Sequence, residues 1–182
     1  MRDAFESVTA KAALISELNQ RLDMGRKFRY GLKMANEKVI DALNRDLANL
    51  HVFWVKLHNY HWNIQRHMFF TLHEKTQEYY EYIGEFYDDV AERILQLRGH
   101  PFASLKTYLG HTTIKEEDDR PFGPQELLEG VRDGFETLLA DGHRIHALAD
   151  ESHDIATQNL YEDHIQKIGA YIWMLRQAAV VQ

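Results

Sequence analysis

Apolar residues recur at three- and four-residue steps along most of the chain, the period of amphipathic helices. Phe5, Val8, Ala12, Ile15, Leu18 and Leu22 mark one stripe over residues 3–22. A basic segment punctuated by glycine follows, Met24-Gly25-Arg26-Lys27-Phe28-Arg29-Tyr30-Gly31-Leu32-Lys33, and reads as a linker or arm. Between residues 36 and 65, Ile40, Leu43, Leu47, Leu50, Trp54 and Leu57 resume a helical stripe. Another holds Thr76, Tyr79, Ile83, Phe86, Val90, Ile94 and Leu97, and Gly99-His100-Pro101 stops it. Residues 100–123 contain Pro101, Pro121 and the acidic run Glu116-Glu117-Asp118-Asp119. That stretch is too long for a tight turn and predicts a crossover connection with room for a short helix. Pro124 suits the first turn of a helix. Leu127, Leu128, Val131, Phe135, Leu138, Leu139, Ile145 and Leu148 carry that helix. Leu160, Ile165, Ile168, Ile172 and Leu175 carry the last. No β-alternation of useful length and no 20–50-residue repeat appears.

Four long helices with one extended connection between the second and third define an all-α chain. They predict a ferritin-like four-helix bundle over residues 35–182, preceded by an amphipathic helix and basic arm over 1–34. A plain helical bundle with no site is the alternative, because fold alone does not fix function.

Composition narrows the chemistry. The 182 residues are 45 % hydrophobic and 27 % charged, enough for one domain with a real core. There is no cysteine, which excludes disulfides, thiolate metal sites, iron–sulfur clusters and cysteine nucleophiles, and fits a cytoplasmic location. No apolar run reaches membrane-spanning length, and residues 1–30 lack a signal-peptide stretch. Eleven histidines are many for this length. Lys and Arg number 21 against 28 Asp and Glu, a net charge of −7. Residues 1–34 hold seven basic and four acidic groups, a net of +3, and residues 35–182 hold fourteen and twenty-four, a net of −10. Such a body repels DNA, so any nucleic-acid contact, and any association with the nucleoid, must come through the arm.

Polar groups on the apolar stripes are the candidate site. Four residues after Leu57 the first long stripe meets His61. The next helix supplies His73 early and Asp88 and Glu92 late, the two carboxylates four apart on one face. Two imidazoles and two carboxylates without thiolate suit ferrous iron, manganese or zinc. His61 and His73 flank the same turn and meet if the helices pack antiparallel. Asp88, however, lies 15 residues beyond His73, or about 22 Å along the axis at ~1.5 Å per residue. Either a second copy of the chain supplies the carboxylates across a two-fold axis, or the four residues do not form one site. In the second case Asp88 and Glu92 pair with Arg93 or lysines on a solvated face.

Other patterns fail or stay open. His73-Glu74-Lys75-Thr76-Gln77 has glutamine where a zinc protease needs its second histidine, and the two Glu-x-x-His pairs of an intrahelical di-iron bundle are absent. His143 and His146 have a ligand-compatible spacing that also suits ordinary surface histidines. His58, one turn before His61, is a further candidate.

His61-Trp62-Asn63-Ile64, Phe69-Phe70-Thr71-Leu72-His73-Glu74 and Asp88-Asp89-Val90-Ala91-Glu92-Arg93-Ile94 together resemble the signature of the Dps proteins. These are the mini-ferritins named after DNA-binding proteins of starved cells. The resemblance spans residues 36–180. It implies a shell of twelve four-helix subunits, with a ferroxidase site at each two-fold interface built from His61 and His73 of one chain and Asp88 and Glu92 of its mate. It implies oxidation of ferrous iron, preferably by hydrogen peroxide, and storage of ferric mineral as protection against oxidative stress. Trp62 and Trp173 resemble the aromatic residues near such sites, where they quench radicals or simply pack in the core. Family members commonly carry a carboxylate four residues after the second histidine, where Gln77 stands here. A mononuclear or mixed-metal site follows, with His58 compensating or biasing the site toward zinc. Asp150, Glu151 and Asp154 fall where the family lines its three-fold entry pores. A DNA-binding particle and a zinc-loaded scaffold with little turnover are the alternative functions.

Overall fold

The computed structural model describes residues 2–179, and among these the side chains of 21–25 and 36–179. Five helices follow in order: α1 (Arg2–Asn63), α2 (Phe69–Gln96), α3 (Leu105–His111), α4 (Pro124–Glu151) and α5 (Ile155–Ala178). The last part of α1, with α2, α4 and α5, forms the four-helix bundle, and α3 is the short helix of the crossover. Segment 24–33 does not interrupt the first helix: α1 continues through it. A glycine costs a helix only about 1 kcal/mol relative to alanine, so two of them do not outweigh an unbroken hydrogen-bond ladder. The side chains of the first stripe from Phe5 to Leu18, and of the basic residues 26–33, lie outside the described residues.

The stripes read from the sequence face the core. Thr76, Tyr79, Ile83, Phe86, Val90 and Ile94 of α2 are buried, as are Leu127, Leu128, Val131, Phe135 and Leu138 of α4. Each large apolar side chain so buried contributes about 1.5–3 kcal/mol against the entropy of folding. The centre is aromatic, with Phe135 edge-on to both Phe53 and Tyr79 at 5.0 and 5.2 Å. Helix α4 comes close because Gly130 and Gly134 carry no Cβ, leaving the space that Tyr60 and Phe53 of α1 occupy.

Polar residues of α1 hold the crossover along its flank. Asn44 Nδ2 donates to His100 O at 3.1 Å, and Phe102 N donates back to Asn44 Oδ1 at 2.8 Å. Asn49 accepts from Thr113 N at 2.7 Å and donates to Asp141 of α4, also at 2.7 Å. Lys56 pairs with Glu117 at 2.9 Å, and the Tyr60 hydroxyl donates to the same carboxylate. The acidic run of the crossover is thus partly tied down. The returning strand of chain meets the end of α1 at Ile64 and Phe122. Among the described residues no helix is long and apolar enough to cross a membrane.

Candidate metal centre

The turn between α1 and α2 sets two imidazoles face to face. Arg66 and Met68 take left-handed φ values of 81° and 66°, reversing the chain within five residues. Gln65 N and Phe122 N bond to Phe122 O and Asn63 O at 3.1 and 3.0 Å, which fixes the turn against the crossover. His61 in the last turn of α1 and His73 near the start of α2 stack with centroids 3.6 Å apart. Their backbones and rings bond reciprocally: His61 Nδ1 donates to His73 O and His73 Nδ1 donates to His61 O, each at 2.8 Å. A carbonyl only accepts, so each neutral ring carries its proton on Nδ1 and keeps the Nε2 lone pair for another partner. Thr76 Oγ1 lies 3.2 Å from His61 Nδ1 and braces the same turn by donating to Leu72 O at 2.8 Å. His61 is 7 % exposed. Burial lowers its pKa below the ordinary histidine value and keeps the ring neutral, the form that binds a metal ion.

His58 repeats the device one turn earlier. Its Nδ1 donates to Trp54 O at 2.9 Å, and its ring stacks on Tyr80 at 3.9 Å. At this end of the bundle three imidazoles thus have Nδ1 tied to a backbone carbonyl, which in the neutral ring leaves the lone pair on Nε2.

Asp88 and Glu92 are exposed on α2, at the far end from His73. Arg93, their alternative partner, is engaged elsewhere: its Nη2 bonds to Asp154 Oδ1 at 2.6 Å and its Nε to Thr157 Oγ1 at 2.9 Å. Within one chain, among the described residues, no three His, Asp or Glu side chains gather as a metal cluster. The histidine pair, at the α1–α2 turn, and the carboxylate pair, toward the far end of α2, therefore stand apart within the chain. Gln77 lies between them, exposed, and donates to Glu81 Oε1 at 2.8 Å.

Of the three acidic residues expected near a pore, Asp150 and Glu151 are exposed. Asp154 is not free for that role. Its carboxylate caps α5 by accepting from Thr157 N at 3.1 Å while it pairs with Arg93, and its side chain is 8 % exposed. Trp62 and Trp173 are 70 % and 63 % exposed, so core packing within the chain does not account for either. His143 is exposed and His146 half-buried, on the outer side of α4.

Sequence reading missed Thr76 as a brace, Glu81 as the partner of Gln77 and Tyr80 as the ring beneath His58. The available signal was periodicity: Tyr80 and Glu81 follow His73 by seven and eight residues, two helical turns along one face.

Comparison with known proteins agrees with the fold. Residues 40–180 match the model of the ferritin-like domain. General stress protein 20U of Bacillus subtilis is 38 % identical over 141 residues, covering 78 % of this chain and 97 % of that one. The DNA protection during starvation protein of Listeria monocytogenes is 36 % identical over 137 residues, 75 % of this chain and 88 % of its own. A crystal structure of a Dps protein from Vibrio cholerae, described as a member of a broad superfamily of ferritin-like diiron-carboxylate proteins, superposes with a TM-score of 0.79. The two are 37 % identical, and 81 % of this chain and 92 % of that one are covered. The chain belongs to the ferritin-like family, in its Dps group.

Proposed function

We propose that this protein is a ferroxidase and iron-storage shell whose sites form between two copies of the chain. The observation that carries the reading is the reciprocal His61–His73 pairing, which ties both Nδ1 atoms to carbonyls and leaves two Nε2 lone pairs side by side. Imidazole nitrogen holds ferrous iron, and carboxylate oxygen favours the ferric product. In this reading Asp88 and Glu92 of a second copy face the histidine pair, and a two-fold axis makes two equivalent sites. The shell is a dodecamer like those implied by the Dps resemblance. Hydrogen peroxide or oxygen accepts the electrons, and ferric mineral collects inside. With peroxide, two ferrous ions and two protons yield two ferric ions and two waters overall, so iron and oxidant are consumed without releasing hydroxyl radical. Neutral Gln77 in place of a carboxylate leaves one strongly held iron per site, with His58 the nearest extra imidazole. Asp150 and Glu151 remain as the cation-attracting residues of an entry pore.

Anaerobic ferrous loading followed by peroxide tests this, with ferric absorbance as the readout and an Asp88→Ala/Glu92→Ala variant alongside. Rapid, soluble ferric formation that the variant loses is the expected result. No acceleration over protein-free buffer contradicts the reading. Metal analysis of the purified protein then separates an iron enzyme from a zinc-loaded scaffold, whose donor set would be the same.

DNA binding is a second reading, favoured by the basic balance of residues 1–34 against an acidic body. Several arms on one shell bind together, and their hold weakens steeply with salt. Gel retardation that salt abolishes, and that fails without residues 1–34, is its signature; retention that salt does not change rules it out.

A further inference from the structure

An aromatic chain runs along α1 and α2 at the margin of the core. His61 stands edge-on to Tyr80 at 5.3 Å. Tyr80 stacks on His58 at 3.9 Å, and His58 meets Trp54 at 4.2 Å. Trp54 stands edge-on to Tyr87 at 6.3 Å, and Tyr87 directly precedes Asp88. The run begins at His61 of the histidine pair and ends at Tyr87, which lines one groove together with Trp54, Tyr80 and Asp88 of the carboxylate pair. Tyr80 and Tyr87 are seven residues apart on α2, about 10 Å at ~1.5 Å per residue, and the indole bridges that gap. It fits there because position 84 is glycine: a Cβ at Gly84 would stand 3.1 Å from Trp54 Nε1. Trp54, Tyr80 and Tyr87 pack against the margin of the core, and their ring-to-ring contacts continue beyond it through His58 and His61. Trp54, His58, Tyr80 and Tyr87 are all half-buried, while Leu57, Ile83, Phe86 and Val90 fill the interior.

We propose that Tyr80, His58, Trp54 and Tyr87 form an electron relay joining the two ferroxidase sites of a dimer. This rests on the inter-subunit site proposed above, in which each chain gives its histidines to one site and its carboxylates to the other. The need is stoichiometric. Peroxide takes two electrons, one ferrous ion supplies one, and Gln77 leaves one strongly held iron at each site. The iron at the first site gives its electron to peroxide, and the O–O bond breaks to hydroxide and a hydroxyl-radical equivalent. Tyr80 gives that radical a hydrogen atom, its phenolic proton with one electron, and water forms. The tyrosyl radical is refilled through Trp54 and Tyr87 by the ferrous ion of the second site, with a proton from solvent. A second proton turns the hydroxide to water. One peroxide, two ferrous ions and two protons thus become two ferric ions and two waters. His58 is a stacked spacer that keeps phenol and indole in tunnelling contact and is not itself oxidised.

Two measurements test the relay. The first needs no iron. In the full-length protein carrying Trp62→Phe and Trp173→Phe, Trp54 is the sole indole, and azide radicals made by pulse radiolysis oxidise it. The tryptophanyl absorbance is expected to pass into tyrosyl absorbance in a first-order step independent of protein concentration. That step is lost in Tyr80→Phe/Tyr87→Phe. No transfer, or unchanged transfer in the tyrosine variant, overturns the relay. The second measurement mixes ferrous-loaded protein with one peroxide per two irons in the presence of a spin trap. Trp54→Phe is expected to release hydroxyl adducts that the parent does not. Equal adducts overturn the role in iron oxidation. A parent that binds no ferrous iron sinks the site reading instead, and the iron-free measurement still decides whether the ring chain carries electrons.

Discussion

Asp46 shows what one buried carboxyl does to this bundle. It is fully buried, its Oδ2 accepts from the Tyr161 hydroxyl at 2.6 Å, and its Oδ1 has no partner among the described residues. Burial pushes its pKa up to about 7, against the lowering effect of the Tyr161 bond. The unfolded carboxyl ionises near 4, so between about pH 4 and 7 the unfolded chain has released a proton that the folded chain retains. The stability this proton linkage contributes is complete below pH ~4 and is lost as pH rises through about 7. Asp46→Asn keeps the shape and an acceptor for Tyr161 and removes the ionisation. It should melt above the parent at pH 8, by an amount worth a few kcal/mol, with the gap shrinking toward pH 5. Thermal unfolding at both values checks this; a gap that does not change with pH contradicts it. None of this was legible in the sequence. Asp46 sits among the polar residues between Leu43 and Leu47, and its partner is 115 residues away. His61 and His73 were legible because both lie within four turns of one loop, where spacing alone determines who meets.

Helix α5 is anchored at its first turn by Asp154, which accepts from Thr157 N and pairs with Arg93 of α2 at 2.6 Å. The Arg93 and Asp154 side chains are 15 % and 8 % exposed. Removing one partner of a pair so enclosed costs about 3–5 kcal/mol, because the other charge is left buried alone. Asp154→Ala should therefore lower the melting temperature substantially. Asp150→Ala and Glu151→Ala, on the exposed side, should shift stability by no more than about 0.5 kcal/mol while slowing ferrous entry. Melting curves and uptake rates for the three variants separate the roles. An Asp154→Ala protein that melts like the parent contradicts the anchoring role. At this scale the sequence was informative where a rule is local. Apolar periodicity located the long helices, and the length of the crossover left room for the short one, whose Ser104 cap only the structure shows. It misled at Gly25 and Gly31, where a weak propensity signal was outweighed by the continuing ladder of α1. It was silent on Asp154, since nothing in Asp150, Glu151 and Asp154 alone tells which one turns inward to an arginine sixty-one residues away.

The single chain leaves large apolar side chains in water: Trp62, Trp173, Val55 and Leu95 are 70, 63, 43 and 57 % exposed. Exposed apolar surface of that kind is characteristic of interaction sites, and the proposed shell would cover it with neighbouring copies. Neither two histidines nor two carboxylates make a complete metal site, which is why the proposed function joins them across two copies. The separation of about 22 Å between His73 and Asp88 along α2, at ~1.5 Å per residue, was already legible in the sequence. What the sequence withheld was the reciprocal bonding that sets the histidine tautomers. That depends on how two helix ends meet in space, not on spacing. The central claim is that each site takes its two halves from different chains, and subunit mixing tests it most directly. His61→Ala/His73→Ala and Asp88→Ala/Glu92→Ala chains are each expected to be inactive alone. Co-expressed, they form mixed dimers in which one site has all four native ligands, restoring ferrous oxidation to about a quarter of the parental sites on random pairing. If mixed shells form and stay as inactive as either variant alone, the site is not shared between chains and the account is wrong.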